Sequence, residues 1–390
     1  NGKRLSRGEG MIYLDSGATT LEKPPAVARA MAQAVGEMSS PGRGNYPASQ
    51  KAARTAYDCR EAAAELFHVP APEQVIFTCN ATHGLNIAIR TLVRPGCRVA
   101  VSGYEHNAVT RVLHSIPGVE IMVADAPLFR PEQTLEGFRT ALRWGVDAVI
   151  CNHVSNVFGC VQPVEELAGL CRRTHTPLIV DASQSAGILP VLLADWGAAF
   201  VAMPGHKGLY GPQGTGLLLC GAEASPLLYG GTGSASRRQT MPIDLPDRLE
   251  AGTHNMPGIA GLLEGLRFVS HAGVERIAQW ERRLTRRAEE GLARLPGVEV
   301  FADKTGQGQT GVLSFCVKGM DCEQVGEELA RRQIAVRAGL HCAPLAHRTA
   351  GTLKSGTIRI SPSVFNTEGQ INFFLREMRE ILRENTKKSV

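Results

Sequence analysis

The sequence predicts an α/β protein in two parts: a large three-layer domain on a mainly parallel sheet, then a small C-terminal α+β domain. Three observations predict it. Strand and helix patterns alternate through the first two thirds of the chain. Several strands are continuous apolar runs, as in Leu178-Ile179-Val180 and Leu217-Leu218-Leu219, which marks strands covered by helices on both faces. After about residue 255 the texture changes to long helices interleaved with short strands. At 390 residues the chain is too long for one ordinary core, and the division is placed at 15–255 and 256–390, with part of the N-terminal segment joining the smaller domain.

The elements follow in order. Helical patterns cover 25–38 and 49–66, a strand 74–78 and a helix 82–93. A strand at 98–101 precedes a helix beginning near Asn107, and strands follow at 119–123 and 147–151. A helix at 164–173 leads to strands at 177–180, 199–202 and 215–220. In the last third, helices at 258–271 and 274–295 precede strands at 298–301 and 312–315. A helix at 321–332, strands at 334–337 and 357–360, and a closing helix at 367–383 complete the pattern.

Composition narrows the function. Hydrophobic residues make up 43% and charged residues 20%, as in an average globular protein. A net charge of +5 is mild for this size and does not argue for nucleic acid; none is expected as a partner. No apolar run approaches the ~20 residues of a membrane helix. Residues 1–10 are polar, lack an apolar signal core, and are expected to form an extension outside the fold. The ten cysteines form no CxxC, and most sit in apolar runs, as small buried hydrophobes would in a reducing, cytoplasmic compartment.

Three apolar strands end in polar residues: 147–151 runs into His153 and Asn156, 177–180 into Asp181 and Gln184, and 199–202 into His206 and Lys207. Ligands of open α/β sheets sit beyond the carboxyl ends of the strands, so these side chains are expected to converge. The set suits pyridoxal 5'-phosphate (PLP). Lys207 supplies the Schiff-base amine, favoured in its neutral form by burial, and Asp181 keeps the pyridine nitrogen protonated. Asn80-Ala81-Thr82-His83-Gly84 opens a helix after a strand and reads as the phosphate cup, with the Thr82 and His83 backbone and the Thr82 hydroxyl donating. Each feature alone has a plainer reading, as a strand-end cap or a solvated side chain. Order and spacing together favour the cofactor.

Leu14-Asp15-Ser16-Gly17-Ala18-Thr19-Thr20, Asn80-Ala81-Thr82, Glu105-His106-Asn107, Ser155-Asn156-Val157-Phe158-Gly159, Val180-Asp181-Ala182-Ser183-Gln184 and Gly205-His206-Lys207-Gly208-Leu209-Tyr210-Gly211-Pro212 resemble the class V aminotransferase family, cysteine desulfurase branch. The resemblance runs from about Met11 to the end. It implies a fold-type-I PLP homodimer with a large cofactor domain and a small C-terminal domain. By it, His106 stacks on the cofactor ring and helps shuttle protons, Asn156 and Gln184 hydrogen-bond the ring oxygen, and His206 holds the phosphate. Pro204 stands where the family often has Ser or Thr, which removes one hydroxyl from the phosphate site. Gly230-Gly231-Thr232-Gly233 is either an ordinary Gly-rich turn or, by resemblance, the segment whose Thr232 reaches the partner subunit's phosphate.

The reaction turns on Cys342, in the Gly- and Pro-flanked run Val336-Arg337-Ala338-Gly339-Leu340-His341-Cys342-Ala343-Pro344. Read from the residues alone, it is either a loop thiol without a task or a nucleophile helped by Arg337 and His341. A metal site of His341, Cys342 and His347 matches no familiar zinc spacing. The segment resembles the loop that carries the persulfide-forming cysteine of cysteine desulfurases, in the group with a shorter, more ordered loop. Arg359 falls at the family position that binds the substrate carboxylate, a task its planar fork suits, with Asn156 beside the substrate. The resemblance thus implies that L-cysteine becomes L-alanine, leaving sulfur on Cys342 for an acceptor protein or thiol. A selenocysteine lyase, or a class V aminotransferase or epimerase that does not use Cys342, is the alternative.

Overall fold

The chain was analysed as a computed structural model that describes residues 10–42, 44–306 and 308–388, with side chains to 385. The expectation for residues 1–9 lies outside the described residues.

The strands are β1 (Ile12–Tyr13), β2 (Val75–Thr78), β3 (Arg98–Ser102), β4 (Glu120–Ala124), β5 (Ala148–Asn152), β6 (Leu178–Asp181), β7 (Phe200–Pro204), β8 (Gly216–Cys220), β9 (Val298–Phe301), β10 (Leu313–Val317), β11 (Ile334–Ala335), β12 (Arg337–Gly339) and β13 (Thr357–Ile360). Seven of them form the central sheet in the order β2-β8-β7-β6-β5-β3-β4. Only β8 runs against its neighbours, so the sheet is mainly parallel, as the apolar runs predict.

Alternate residues of each strand enter opposite cores. Leu178, Val180, Leu217 and Leu219 pack with Ala52, Ala56 and Ala63 of the helix Pro47–Leu66. Ile179 and Leu218 pack on the other face with Leu85 and Ile89 of the helix Ala81–Leu92. Both faces are covered, which makes three layers. The topology places β5, β6 and β7 side by side and parallel, with Asn152 opposite Asp181 and Asp181 opposite Ala202. Their polar carboxyl ends therefore share one edge.

A second sheet, in the order β12-β13-β10-β9, is antiparallel throughout. Its core joins Leu313, Phe315, Ile358 and Ile360 to Phe374 and Met378 of the helix Glu368–Lys388, and to Leu284 and Leu292 of the helix Val274–Ala293. Leu14 from the start of the chain is buried in the same cluster.

Several elements depart from the sequence pattern, among them the short helices Leu193–Trp196 and Pro344–Thr349, which the pattern does not announce. The expected strand at 334–337 breaks at Val336 into β11, which pairs with β1, and β12, which joins β13. One short apolar run thus serves two sheets, a division no local periodicity encodes. The helix Pro131–Arg143 was not anticipated, although its buried Phe138, Ala141 and Leu142 recur at helical spacing. The strand at 199–202 extends to Pro204, whose missing N–H sits at the strand end, where it is tolerated.

Candidate active site

The three strand ends and one helix start enclose a pocket. It is lined by Asn80, Ala81 and Thr82, by His106, by Asn152 and Asn156, by Asp181, Ser183 and Gln184, and by Pro204, His206 and Lys207. Asp181 is 4% exposed at the end of β6, and its Oδ1 accepts from the Ser183 N–H (2.9 Å) and hydroxyl. Such bonds hold the Asp181 side chain in one direction.

Lys207 follows β7 through Gly205. A Cβ at Gly205 would lie 2.2 Å from Thr215 Oγ1, so only glycine lets the chain turn here. Burial draws the Lys207 amine down to about 8, Asp181 opposes this, and Arg359 and Arg337 add to it. About a tenth of the amine is thus neutral at pH 7, far more than for an ordinary lysine.

His106 caps the helix Asn107–His114. Its Nδ1 accepts the Ala108 N–H at 3.0 Å, which leaves the ring proton on Nε2. Burial lowers the ring to about 4, ahead of an opposing effect from Asp181. Beside it, buried Glu105 accepts from the Asn152 N–H (2.7 Å) and the Ser102 hydroxyl (2.5 Å). Burial pushes Glu105 up to about 8, so it is neutral at pH 7 and adds no charge next to Asp181.

The helix Ala81–Leu92 starts at the pocket. Asn80 Oδ1 caps the His83 N–H at 2.9 Å, so that donor, expected for the phosphate, is already used, and His83 is not among the pocket-lining residues. Ala81 and Thr82 line the pocket and keep the anion-attracting end of the helix open. His206 reaches Thr19 Oγ1 through Nδ1 (3.0 Å), and burial brings its ring down to about 4.

Sequence reasoning missed what the N-terminal segment does. Thr20 Oγ1 donates to the His206 carbonyl (3.0 Å), and Lys23 Nζ donates to Thr20 Oγ1 (2.7 Å). Gln184 Nε2 donates to the Gly17 carbonyl (2.8 Å), and the Gly17 N–H donates to Ser361 Oγ (2.7 Å). Arg359, 1% exposed, is held by Asp15 Oδ1 (2.6 Å) and the Asn156 carbonyl (2.8 Å). The signal was the motif around Asp15, which carries the family resemblance but, in sequence, names no partner.

Cys342 lies on the adjoining loop, and its thiol is exposed. Arg337 Nη2 points at Sγ from 3.7 Å. His341 and Cys342 both adopt left-handed backbone, with φ of 49° and 56°. Three contacts hold that conformation: Asn156 Nδ2 donates to the His341 carbonyl (2.8 Å), the Asn107 N–H donates to the Cys342 carbonyl (2.8 Å), and buried His341 Nε2 meets Thr357 Oγ1 (3.0 Å). Two of these come from residues at the pocket edge. Cys59, Cys151, Cys160, Cys171, Cys220 and Cys322 are buried, and for Cys151 and Cys220 this is in keeping with their apolar runs. Thr232 is half-buried and lines a different hollow, with Tyr57 and Arg60.

The donor set fits PLP. A buried carboxylate faces the pocket from β6, and a helix N-terminus opens at another side. Asn156 Oδ1 and Arg359 Nε are buried without a partner, as expected where a ligand supplies one.

A parallel-sheet fold with lysine and aspartate at neighbouring strand ends defines a class that comparison with known proteins identifies. The aminotransferase class-V family matches residues 12–374, and the chain belongs to that family. Within it, the likeness is to the cysteine desulfurase branch. A probable cysteine desulfurase of Methanothermobacter thermautotrophicus is 32% identical over 95% of this chain and 94% of its own length. Another, of Mycolicibacterium paratuberculosis, is 32% identical over 97% of this chain, but the chain spans only 56% of that longer relative. Among solved structures, the apo cysteine desulfurase of Thermococcus onnurineus superposes with a TM-score of 0.87 at 30% identity, covering 96% of this chain and 95% of that one. Among the described residues, no helix is long and apolar enough to cross a membrane.

Proposed function

We propose that this chain is a PLP-dependent cysteine desulfurase that converts L-cysteine to L-alanine and leaves the sulfur as a persulfide on Cys342. The observation that carries the reading is the tether between the two halves of the site: Asn156 and Asn107, at the pocket edge, hydrogen-bond the Cys342 loop. The loop that carries the thiol is thereby tied to the edge of the pocket that holds Lys207.

In this reading Lys207 carries PLP, Asp181 faces its ring nitrogen, and His106 lies against the ring. Asn156 and Gln184 serve the ring oxygen, and Ala81, Thr82 and His206 serve the phosphate. When bound, PLP supplies an electron sink for the substrate α-carbon. Arg359, whose Nε has no partner, binds the substrate carboxylate in this reading, with Asn156 alongside. Lys207 Nζ takes the substrate α-proton, and neutral His106 assists through Nε2. The Cys342 thiolate then attacks the substrate sulfur. A sulfur–sulfur bond forms, the carbon–sulfur bond breaks, its electron pair stays with carbon, and alanine leaves once protonated.

The division into a cofactor domain (15–255) and a smaller domain (256–390) belongs to the same proposal. So does a cytoplasmic homodimer in which Thr232 completes the partner subunit's phosphate site, and so does a sulfur-acceptor protein or thiol. The test is an absorbance spectrum with and without L-cysteine, with alanine and sulfide assayed together. Equal yields of alanine and sulfide in the presence of dithiothreitol are expected. A colourless protein that takes up no PLP, or a keto acid in place of alanine, overturns the reading.

A further inference from the structure

A second, smaller cavity shares Lys207, Ser183 and Gln184 with the pocket and extends to Tyr210, Glu281, Thr310 and Ser361. At about 30 Å³ it has room for about two water molecules. Its walls are polar. The Ser16 hydroxyl is buried there without a partner. Glu281, 6% exposed, projects from the helix Val274–Ala293. Its Oε1 accepts the Tyr210 hydroxyl at 3.3 Å, which leaves the acid proton on Oε2. A Cβ at Gly311 would lie 2.9 Å from that Oε2, so the glycine makes room for the carboxyl.

One turn along the same helix face, Thr285 Oγ1 is also buried without a partner. It lines an outer groove of about 450 Å³, together with Arg282 and Arg286. Thr310 lines both the groove and the inner cavity. A polar path thus runs from the groove past Thr285, Thr310 and Glu281 to Lys207, and the Cys342 loop takes no part in it.

We propose that Glu281 is the acid–base group of an internal water-filled passage that exchanges protons between Lys207 and bulk water. The proposal rests on the desulfurase reading only for the reaction it serves. The Glu281 carboxyl gives its proton to a cavity water, and that water gives one of its own to the neutral Lys207 amine. Glu281, left as carboxylate, regains a proton from water in the groove. The net change is one proton moved from solvent to Nζ, and the path reverses when Lys207 must lose it.

Burial pushes Glu281 up to about 8, so the acid form is present at neutral pH and lost above it. The titratable groups facing it across the cavity are Tyr210 and Lys207. The 310–312 and 361–362 segments present Thr310, Gly311, Val312, Ser361 and Pro362, none of which titrates. On its own helix, Arg282, Arg283, Arg286, Arg287, Glu289 and Glu290 line the groove.

The test combines infrared spectroscopy of the cofactor-free protein with pH profiles of the holoenzyme. Two protonated-carboxyl bands that titrate near pH 8, those of Glu105 and Glu281, are expected, and one of them is lost in Glu281→Gln. In the holoenzyme, Glu281→Gln should lower kcat at least ~10-fold with KM unchanged and remove the alkaline limb near 8, while Glu281→Asp retains a limb. A wild type with only one such band, which Glu105→Gln removes, overturns the proposal even if Glu281→Gln fails to fold. So does a Glu281→Gln enzyme that only melts earlier and keeps the wild-type profile. If the bands behave as expected but the wild type makes no alanine from L-cysteine, the desulfurase reading falls. The passage is then decided by the pH dependence of PLP attachment to Lys207, which Glu281→Gln should alter; an unchanged dependence overturns it.

Discussion

The Lys207 pocket and the Cys342 loop lie side by side but are held in different ways. The pocket stands on three neighbouring parallel strands whose residues pair in register, so Asp181 and the turn into Lys207 are fixed by the sheet itself. The loop has no sheet beneath its thiol. It stays in place through two consecutive left-handed residues, each of which costs about 1–2 kcal/mol, and through bonds to Asn107, Asn156 and Thr357 that offset this. The difference teaches that one region is built to stay fixed, while the other can be released by losing a few contacts. A thiol that must first reach a substrate and then hand on its sulfur needs that release.

The comparison can be broken at its strongest point first. Lys207→Ala should abolish the borohydride-trapped PLP adduct and all turnover. Cys342→Ala should abolish sulfide release with dithiothreitol and yet keep the visible absorbance. If Cys342→Ala releases sulfide at the wild-type rate, the loop has no part in the chemistry.

Next in size is the tether. Asn156→Ala leaves the His341 carbonyl without its partner, which costs about 1–3 kcal/mol locally and should slow sulfide release at least ~10-fold. Crystals of the variant with PLP should show the loop displaced while Asp181 and Lys207 stay in place. His341→Gly tests the same point by another route, since glycine accepts the φ of 49° but forfeits the bonds to Thr357. A loss of rate without a loss of PLP binding is expected.

The pH prediction sharpens the pocket side. Lys207 is drawn below its ordinary value to about 8, so its neutral form grows as pH rises toward 8 and saturates above it. PLP attachment to the cofactor-free protein, followed by absorbance, should therefore rise about tenfold per pH unit between about 6 and 7 and level off only above 8. Because burial lowers His106 and His206 to about 4, neither should add a limb near pH 6.5. The smallest effect belongs to a control far from both regions. Arg331→Ala removes exposed pairs with Glu327 and Glu328 and should change stability by less than about 1 kcal/mol in thermal melts, with turnover unchanged.

Much of this was legible in local sequence. Continuous apolar runs announced buried parallel strands, and the polar residues just after them announced a site, because a strand that ends at a sheet edge delivers its next side chains to a predictable place. Cys342 stood apart from Cys151 and Cys220 in their apolar runs because its neighbours are polar, and it is exposed, as is Cys79, while they are buried. The phosphate cup was only partly legible: the helix start could be read, but not that Asn80 would take up the His83 N–H.

Sequence by itself determined the layer order, the strand ends and the residue types available for chemistry, since hydrophobic period and turn chemistry act over a few residues. Only the tertiary structure decided that Asp15 would hold Arg359 across 344 residues, that Asn156 would grip the loop of Cys342, and that Glu281 would share a cavity with Lys207. Those pairings arise when separate elements pack, and a short window of sequence carries no energy term that reports on a partner hundreds of residues away.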